Sequence, residues 1–340
     1  MIQLILPLNN SDVSILSDEC RLFYDSEELR IKKSKNDNSL NWRSPKMKSE
    51  DCSKPLPVKM QWSDEGNTLS GVYVVIVSEK SDLSDPIIRI SDKCEIDFYN
   101  LCVGTKYYWC VQKACFRSDI WSFTVSDDSP RLLNIDGLGN VRDIGGYNVP
   151  LGRIRQKMIY RGCEFDNNLQ ITSLGIDEFM RLNVKTEFDL RSDEPVFKPG
   201  HSIFTWYDIE YILLPVGAYK YMSDMYHMNL YKTIMLKLTD ESAYPVYIHC
   251  VAGADRTGTV VFLIEALLGM SEKDLFNEYE LTSISRFGER SRNGNGMQEI
   301  LSVLNQYDGN TVNEKVENYM LQGLRLTKAQ IKKIREIMIE

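Results

Sequence analysis

The chain has 340 residues, 43% of them apolar and 26% charged, with a formal net charge of −8. That composition belongs to a soluble globular protein long enough for two domains of ordinary size. The negative balance and the lack of a clustered Lys/Arg stripe argue against nucleic-acid binding, and no apolar run approaches the ~20 residues of a transmembrane segment. The opening MIQLILPLNNSD has a brief apolar run without a basic flank. No signal peptide is visible in it, so a cytoplasmic protein is expected, with export after signal removal as the alternative. Eight cysteines (20, 52, 94, 102, 110, 115, 163 and 250) include no C-x-x-C pair and no zinc-ligand spacing. They read as buried free thiols; a disulfide among the five from Cys52 to Cys115 is the alternative for an exported protein.

In chain order, the first predicted elements are strands. PVKMQW (57–62), GVYVVIVSE (71–79), IIRIS (87–91), KYYWCVQKA (106–114) and IWSFTV (120–125) alternate apolar and polar positions. Turn clusters such as SDEGN (63–67) and SDLSDP (81–86) separate them. Short strands at this spacing, with no long helical period, predict an all-β sandwich over residues 1–130. LCVGTKYYWCVQ (101–112) followed by SDIWSFTV (118–125) resembles the last strands of a fibronectin type III domain. The likeness lies in a Gly-Thr turn, an aromatic strand and a final Ser-Phe-Thr strand. SDDSPR (126–131) is the predicted linker.

Beyond it, strand-like VKTEFDLR (184–191), FTWYDIEYILLPV (204–216) and YPVYIHC (244–250) alternate with helical SLGIDEFMRLN (173–183), MSDMYHMNLYKTIMLKLTD (222–240) and TGTVVFLIEALLGM (257–270). Two further helices are predicted, SEKDLFNEYELTSI (271–284), capped by Ser271, and TKAQIKKIREIMIE (327–340). The alternation predicts an α/β domain over 131–340, with a mostly parallel central sheet flanked by helices. The protein is thus expected to be multidomain.

The sharpest signal is HCVAGADRTG (249–258), set between a buried strand and an apolar helix. Five residues lie between Cys250 and Arg256. The arc Val251, Ala252, Gly253 and Ala254 can curl so that its backbone N–H groups converge on a tetrahedral oxyanion. The helix start adds its positive dipole end, and Arg256 can hold two phosphate oxygens bidentately. The same charges favour a thiolate at Cys250, aimed at phosphorus. Thr257 can hydrogen-bond the sulfur and help it leave. No metal or other cofactor is called for.

This loop resembles the active-site loop of the cysteine-based protein tyrosine and dual-specificity phosphatases. NVRDIGGY (140–147), IYRGCEF (159–165), FDLRSDEP (188–195) and NEYELTS (277–283) resemble elements of a bacterial and fungal tyrosine/lipid phosphatase branch. Two departures stand out: Gly162 where serine is usual, and Pro195. The resemblance covers about 134–340 and implies hydrolysis through a phosphocysteine intermediate, with Gly258 counted with the loop among the substrate-binding residues.

For the general acid, Asp255 is the first candidate, as in lipid phosphatases with an Asp-Arg-Thr loop, and Asp224 the second; either is otherwise a structural carboxylate. Arg142 is expected to pair with Asp143. Arg142, Arg161 and Arg191 are candidates for binding substrate or for bracing the loop. His249 is expected to order the loop rather than transfer protons. SRFGERSRNGNG (285–296), carrying Arg286, Arg290 and Arg292, reads as a mobile lip or a solvated loop. Ala254 stands where members of the branch acting on phosphoinositides carry lysine. This leans the substrate toward phosphorylated protein, tyrosine or dual-specificity, with phosphoinositides or inositol phosphates second. A reading from another class is a module that binds a phosphorylated ligand without turnover, its β-sandwich recognising a protein or glycan partner.

Overall fold

The computed structural model describes residues 1–25, 50–65, 71–192, 202–204 and 206–340. The chain divides into two compact units, Met1–Leu16 with Pro55–Arg131 and Ser17–Lys54 with Leu132–Glu340. The described residues 17–25 and 50–54, counted with the first domain in the sequence reading, therefore group with the second unit.

The first unit is all β. Its strands are β1 (Ile2–Leu6), β2 (Ser11–Val13), β3 (Val58–Asp64), β4 (Tyr73–Ser78), β5 (Ile87–Ser91), β6 (Glu95–Phe98), β7 (Lys106–Lys113), β8 (Phe116–Arg117) and β9 (Trp121–Val125). They form two sheets, ordered β1–β3–β6 and β2–β9–β7–β4–β5, with β8 beside β7. In β4, YVVIVS alternates buried and half-buried positions, and its branched side chains suit a pleated face. Val58, Met60 and Trp62 of one sheet share an apolar cluster with Val75, Trp109 and Phe123 of the other. β1, β2, β6 and β8 go beyond the predicted strands; each has at most five residues, too few for alternation to stand out.

The second unit opens with α1 (Asp18–Asp25). Its sheet contains β10 (Arg131–Leu132), β11 (Arg142–Asp143), β14 (Ile159–Gly162), β15 (Thr186–Asp189), β16 (Glu210–Leu213) and β17 (Val246–His249), while β12 (Asn148–Val149) and β13 (Gly152–Arg153) form a separate hairpin. The order is β10–β11–β14–β17–β15–β16. β14, β17, β15 and β16 run parallel, and β11 is antiparallel to β14. The helices are α2 (Ser173–Arg181), α3 (Met225–Lys237), α4 (Asp255–Leu268), α5 (Glu272–Leu281), α6 (Asn295–Leu304), α7 (Val312–Asn318) and α8 (Lys328–Met338). The mixed α/β character and mostly parallel sheet match the sequence expectation. Every residue of β17 (VYIH) is buried, as befits a central parallel strand covered on both faces.

Val246, Ile248 and Phe188 pack with residues of α3, α4, α6 and α8 in one cluster. Tyr160 and Tyr247, alternating with them, pack with Phe165, Phe179 and Phe204 in another. The helix predicted over 222–240 is split. A 3₁₀ turn at Tyr219–Ser223 comes first, and the Asp224 carboxylate then caps α3 by accepting from the N–H groups of Tyr226 and His227. Ser271 caps α5 as expected, accepting from Asp274 N. α1, α6 and α7 have no counterpart among the predicted helices. None of the eight cysteines forms a disulfide; Cys94 and Cys115 are exposed and the other six are buried. Among the described residues no helix is long and apolar enough to cross a membrane. Pro195 and Thr205 lie outside the described residues.

Candidate active site

The segment 250–254 leaves the carboxyl end of the central strand β17 and runs into α4, between the ends of β14 and β15. Open parallel sheets place ligands at this edge. Gly253 has φ +64°, and a Cβ there would overlap the carbonyl of Gly162 on the neighbouring strand. Glycine is therefore required twice over, by the left-handed backbone and by the close approach.

The loop's carbonyls are held from outside. Val251 O accepts from Glu164 N at 3.1 Å. Asn140 Nδ2 donates to Ala252 O and Gly253 O, both at 3.1 Å, and Arg161 Nη2 donates to Gly253 O at 2.6 Å. In a planar trans peptide the N–H points opposite to the C=O. Fixing three successive carbonyls outward thus turns the N–H groups of Ala252, Gly253 and Ala254 the other way, making a nest for an anion. The N-cap of α4 is Ala254, which supplies no side-chain bond to the first turn. That turn's N–H groups and the helix dipole add to the same positive field. Cys250 is 3% exposed, a thiol set deep at the start of this arc. Arg256 is half-buried, and its Nη1 donates to Leu190 O at 3.3 Å.

A buried ion cluster supports the loop. Arg142 and Arg161 are fully buried, and Glu278 joins them: Arg142 Nε donates to Oε1 at 2.5 Å and Arg161 Nη1 to Oε2 at 2.8 Å. Burial pushes the Glu278 pKa up, but the two guanidiniums outweigh it and the net shift is downward. Arg142 also donates to Asn140 Oδ1 at 2.6 Å. That bond fixes the Asn140 amide so that its NH₂ faces the loop. The expected pairing of Arg142 with Asp143 is replaced by this one, and Asp143 instead accepts from Gly145 N and Lys157 N at 2.8 and 2.7 Å.

A second buried cluster lies under His249. Its Nε2 is 3.0 Å from Glu187 Oε1. Arg191 donates to both oxygens of Asp189 and to Glu164 and Asp166. Burial disfavours charge on His249, yet Asp189 and Glu187 overcome it and raise its pKa. Burial likewise opposes ionisation of Asp189, but His249 and Arg191 prevail and bring it down to about 2. Glu187, Asp189 and His249 have the donor set and closeness of a metal site. Glu187 is engaged with His249 and Asp189 with Arg191 and Tyr211, and the Arg191 cation supplies the positive charge, so the trio reads as part of an ion cluster.

Asp255 and the 285–296 segment meet on the other charged group near the loop. Arg290 grips Asp255 bidentately, Nε–Oδ1 at 2.7 Å and Nη2–Oδ2 at 2.9 Å, and Tyr219 adds a hydroxyl to Oδ1. Burial raises the Asp255 pKa, but Arg290 reverses this and the net shift is downward. The carboxylate is held ionised, the opposite of what a proton donor needs. Asp224, the second acid candidate, is the α3 cap. The segment is pinned rather than free: Arg290 N donates to Ser283 Oγ at 2.8 Å, and Arg292 Nη2 reaches Glu280 and Asn277 at 2.8 and 2.9 Å. Arg286 is exposed and lies over the Phe287 ring. Thr257 is buried, and its hydroxyl has no hydrogen-bond partner among the described residues, so the expected bond to the Cys250 sulfur is not made. A Cβ at Gly258 would meet the Tyr279 ring at ordinary contact distance. At Gly162, where serine is usual, a Cβ would overlap the hydroxyl of Tyr247, which donates to Cys163 O at 3.0 Å.

Sequence reasoning had quoted the elements containing Asn140 and Glu278 without assigning either a role. Being polar inside apolar-flanked elements was their only signal. Tyr219 carried none, and Arg290 was read only as one of three arginines in a mobile lip or solvated loop.

Comparison with curated proteins finds no match. Among solved structures, the core catalytic domain of the PP-IP phosphatase SIW14 from S. cerevisiae, in complex with citrate, aligns at 15% identity and a TM-score of 0.33, covering 53% of this chain and 88% of that one. The model of a family described as tyrosine phosphatases matches residues 133–340, the span that holds the loop, its two buried clusters and the Asp255 clamp. The chain belongs to the tyrosine phosphatase family.

Proposed function

We propose that the chain hydrolyses phosphotyrosine in proteins, with dual specificity as the wider form of the same activity, through a phosphocysteine intermediate. The observation that carries this reading is the set of outward-bound carbonyls at Val251, Ala252 and Gly253, with Cys250 at the base of the nest they create. The Cys250 thiolate attacks phosphorus, and the ester oxygen leaves with the bonding electrons. Water then attacks the phosphocysteine, releasing inorganic phosphate and restoring the thiolate. Arg256 holds two of the phosphoryl oxygens through both steps. Thr257, with its unpartnered buried hydroxyl, donates to the departing sulfur in the second step. Arg142, Arg161 and Arg191, each buried and carboxylate-bound, brace the loop and do not meet substrate.

Two features support an aryl monophosphate. Arg142 and Arg161 share the Glu278 carboxylate, and Arg191, Arg290 and Arg292 pair with Asp189, Asp255 and Glu280. That leaves little cationic surplus for a heavily phosphorylated ligand, and Ala254 adds none. An ionised Asp255 also makes leaving-group protonation weak, so a phenoxide (tyrosine pKa about 10) departs more readily than the far more basic alkoxide of serine or an inositol. Asp255 serves as acid only if substrate draws Arg290 away. In the first unit, the two sheets with a shared core and the Gly104–Thr105 turn before β7 support a fibronectin type III-like sandwich.

The test is metal-free phosphate release by wild type and Cys250→Ser from a phosphotyrosine peptide, a phosphoserine peptide, phosphatidylinositol phosphates and inositol hexakisphosphate. Turnover of the tyrosine peptide that vanishes in Cys250→Ser is expected. Turnover confined to the inositol compounds would move the substrate to that class. Phosphate binding without turnover by wild type would make the chain a binding module.

A further inference from the structure

Asn140 is the hub of the loop's support, and it stands in a backbone conformation that side chains other than glycine adopt sparingly, with φ +57°. Its side chain is fully committed, to Arg142 on one side and to the loop carbonyls on the other. Its own N–H donates to Ser53 Oγ at 3.0 Å. Ser53 is 1% exposed and lies 87 residues upstream, outside the 133–340 span that matches the family.

The segment around Ser53 is built to present that oxygen. Asp51 Oδ1 accepts from Ser53 N at 2.9 Å and from the Ser53 hydroxyl, a local turn that uses the serine's proton and leaves its lone pairs for Asn140. Cys52 N donates to Ile284 O at 3.1 Å, tying the same three residues to the end of the α5 region. A Cβ at Gly139 would overlap the Asp51 carboxylate, so the residue before Asn140 is the one type that lets this turn approach.

We propose that Ser53 is a positioning residue for the phosphate loop: residues 51–53 form a strap, outside the 133–340 span that matches the family, that holds Asn140 in place and through it the carbonyls of Ala252 and Gly253. The functional catalytic unit of this chain is then longer than its family domain. The proposal rests on the reading of the loop as catalytic, and the experiment separates the two.

In the full-length chain, wild type, Ser53→Ala, Ser53→Thr, Asn140→Ala and the Ser53→Ala/Asn140→Ala double variant are compared. The readouts are kcat/KM for para-nitrophenyl phosphate, affinity for inorganic phosphate by calorimetry, and Tm. Ser53→Ala is expected to lose about tenfold in kcat/KM, with phosphate affinity falling in step, at temperatures where it is as folded as wild type. Ser53→Thr, which keeps the hydroxyl, recovers most of the loss, and the double variant is no worse than Asn140→Ala alone. Unchanged phosphate affinity in a folded Ser53→Ala protein, even with a lower Tm, would overturn the proposal, as would losses that multiply in the double variant. Should Ser53→Ala not fold, Asp51→Asn perturbs the same turn more gently and is expected to move affinity in the same direction; no movement overturns the strap. Absence of turnover by wild type would sink the catalytic reading alone, since phosphate affinity still reports on the strap.

Discussion

Two groups of charges surround the phosphate loop and are built in opposite ways. Arg142, Glu278 and Arg161 keep 2% or less of their side-chain surface in contact with solvent. Arg290 and Asp255 keep 20% and 42%. Both pairings are bidentate or bridged, so hydrogen-bond geometry does not distinguish them; solvent does. In the first group each charge depends on the others, because none can turn to water. In the second, either partner can be solvated if the pair opens. The first group is therefore a frame for the loop, and the second is a setting that pH, salt or a bound anion can alter.

The largest effect should come from the frame. Glu278→Gln leaves two buried guanidiniums without their counter-charge, and a loss of about 3–5 kcal/mol in unfolding free energy is expected, measured by urea titration of the second unit's transition in the full chain. A loss below about 1 kcal/mol, the size typical of exposed pairs, would erase the contrast.

A second buried group sharpens it through pH. Asp189, brought down to about 2 from its ordinary 3.8, contributes stability of about 2 kcal/mol. The sign follows from a lowered folded-state pKa: the contribution is complete above about pH 4 and disappears as pH falls toward 2. Asp189→Asn should accordingly flatten the acid limb of a plot of Tm against pH. An unaltered limb would mean that other carboxylates dominate acid unfolding.

Arg290→Ala should have the smallest effect on stability, under about 1 kcal/mol, and lose even that in concentrated salt. Its signature is kinetic. Freed from Arg290, the Asp255 pKa rises, so an acid role for Asp255 would extend the alkaline side of the kcat profile. A profile that keeps its shape would leave Asp255 as an anchor for the 285–296 segment.

The loop was legible because its chemistry is contiguous: nucleophile, glycine, arginine and helix start all lie within residues 249–258. The α/β alternation was legible for a similar reason, since a strand such as VYIH, buried on both faces, is a nearly unbroken apolar run. The partners were hidden by distance. Arg142 has an acid beside it in sequence, but β11 sends neighbouring side chains to opposite faces, and its ion pair is with Glu278, 136 residues away. Asp255 looked like a free acid because Arg290 sits 35 residues downstream in a glycine-rich stretch with no visible register. Residues 17–54 were assigned to the first domain by adjacency alone, and nothing local marks Ser53 as a partner of Asn140.

Gly162 and Tyr247 carry a consequence for how this chain's lineage can vary. Tyr247 stands opposite Tyr160 in the β14–β17 register, and its hydroxyl reaches along the sheet into the space that a side chain at 162 would need. Neither position can drift by itself: serine at 162 demands a smaller residue at 247, and a smaller residue at 247 opens a hole that glycine cannot fill. Relatives that bear serine at the first position should be found with the second already changed, and the two substitutions should be tolerated together where the serine alone is not.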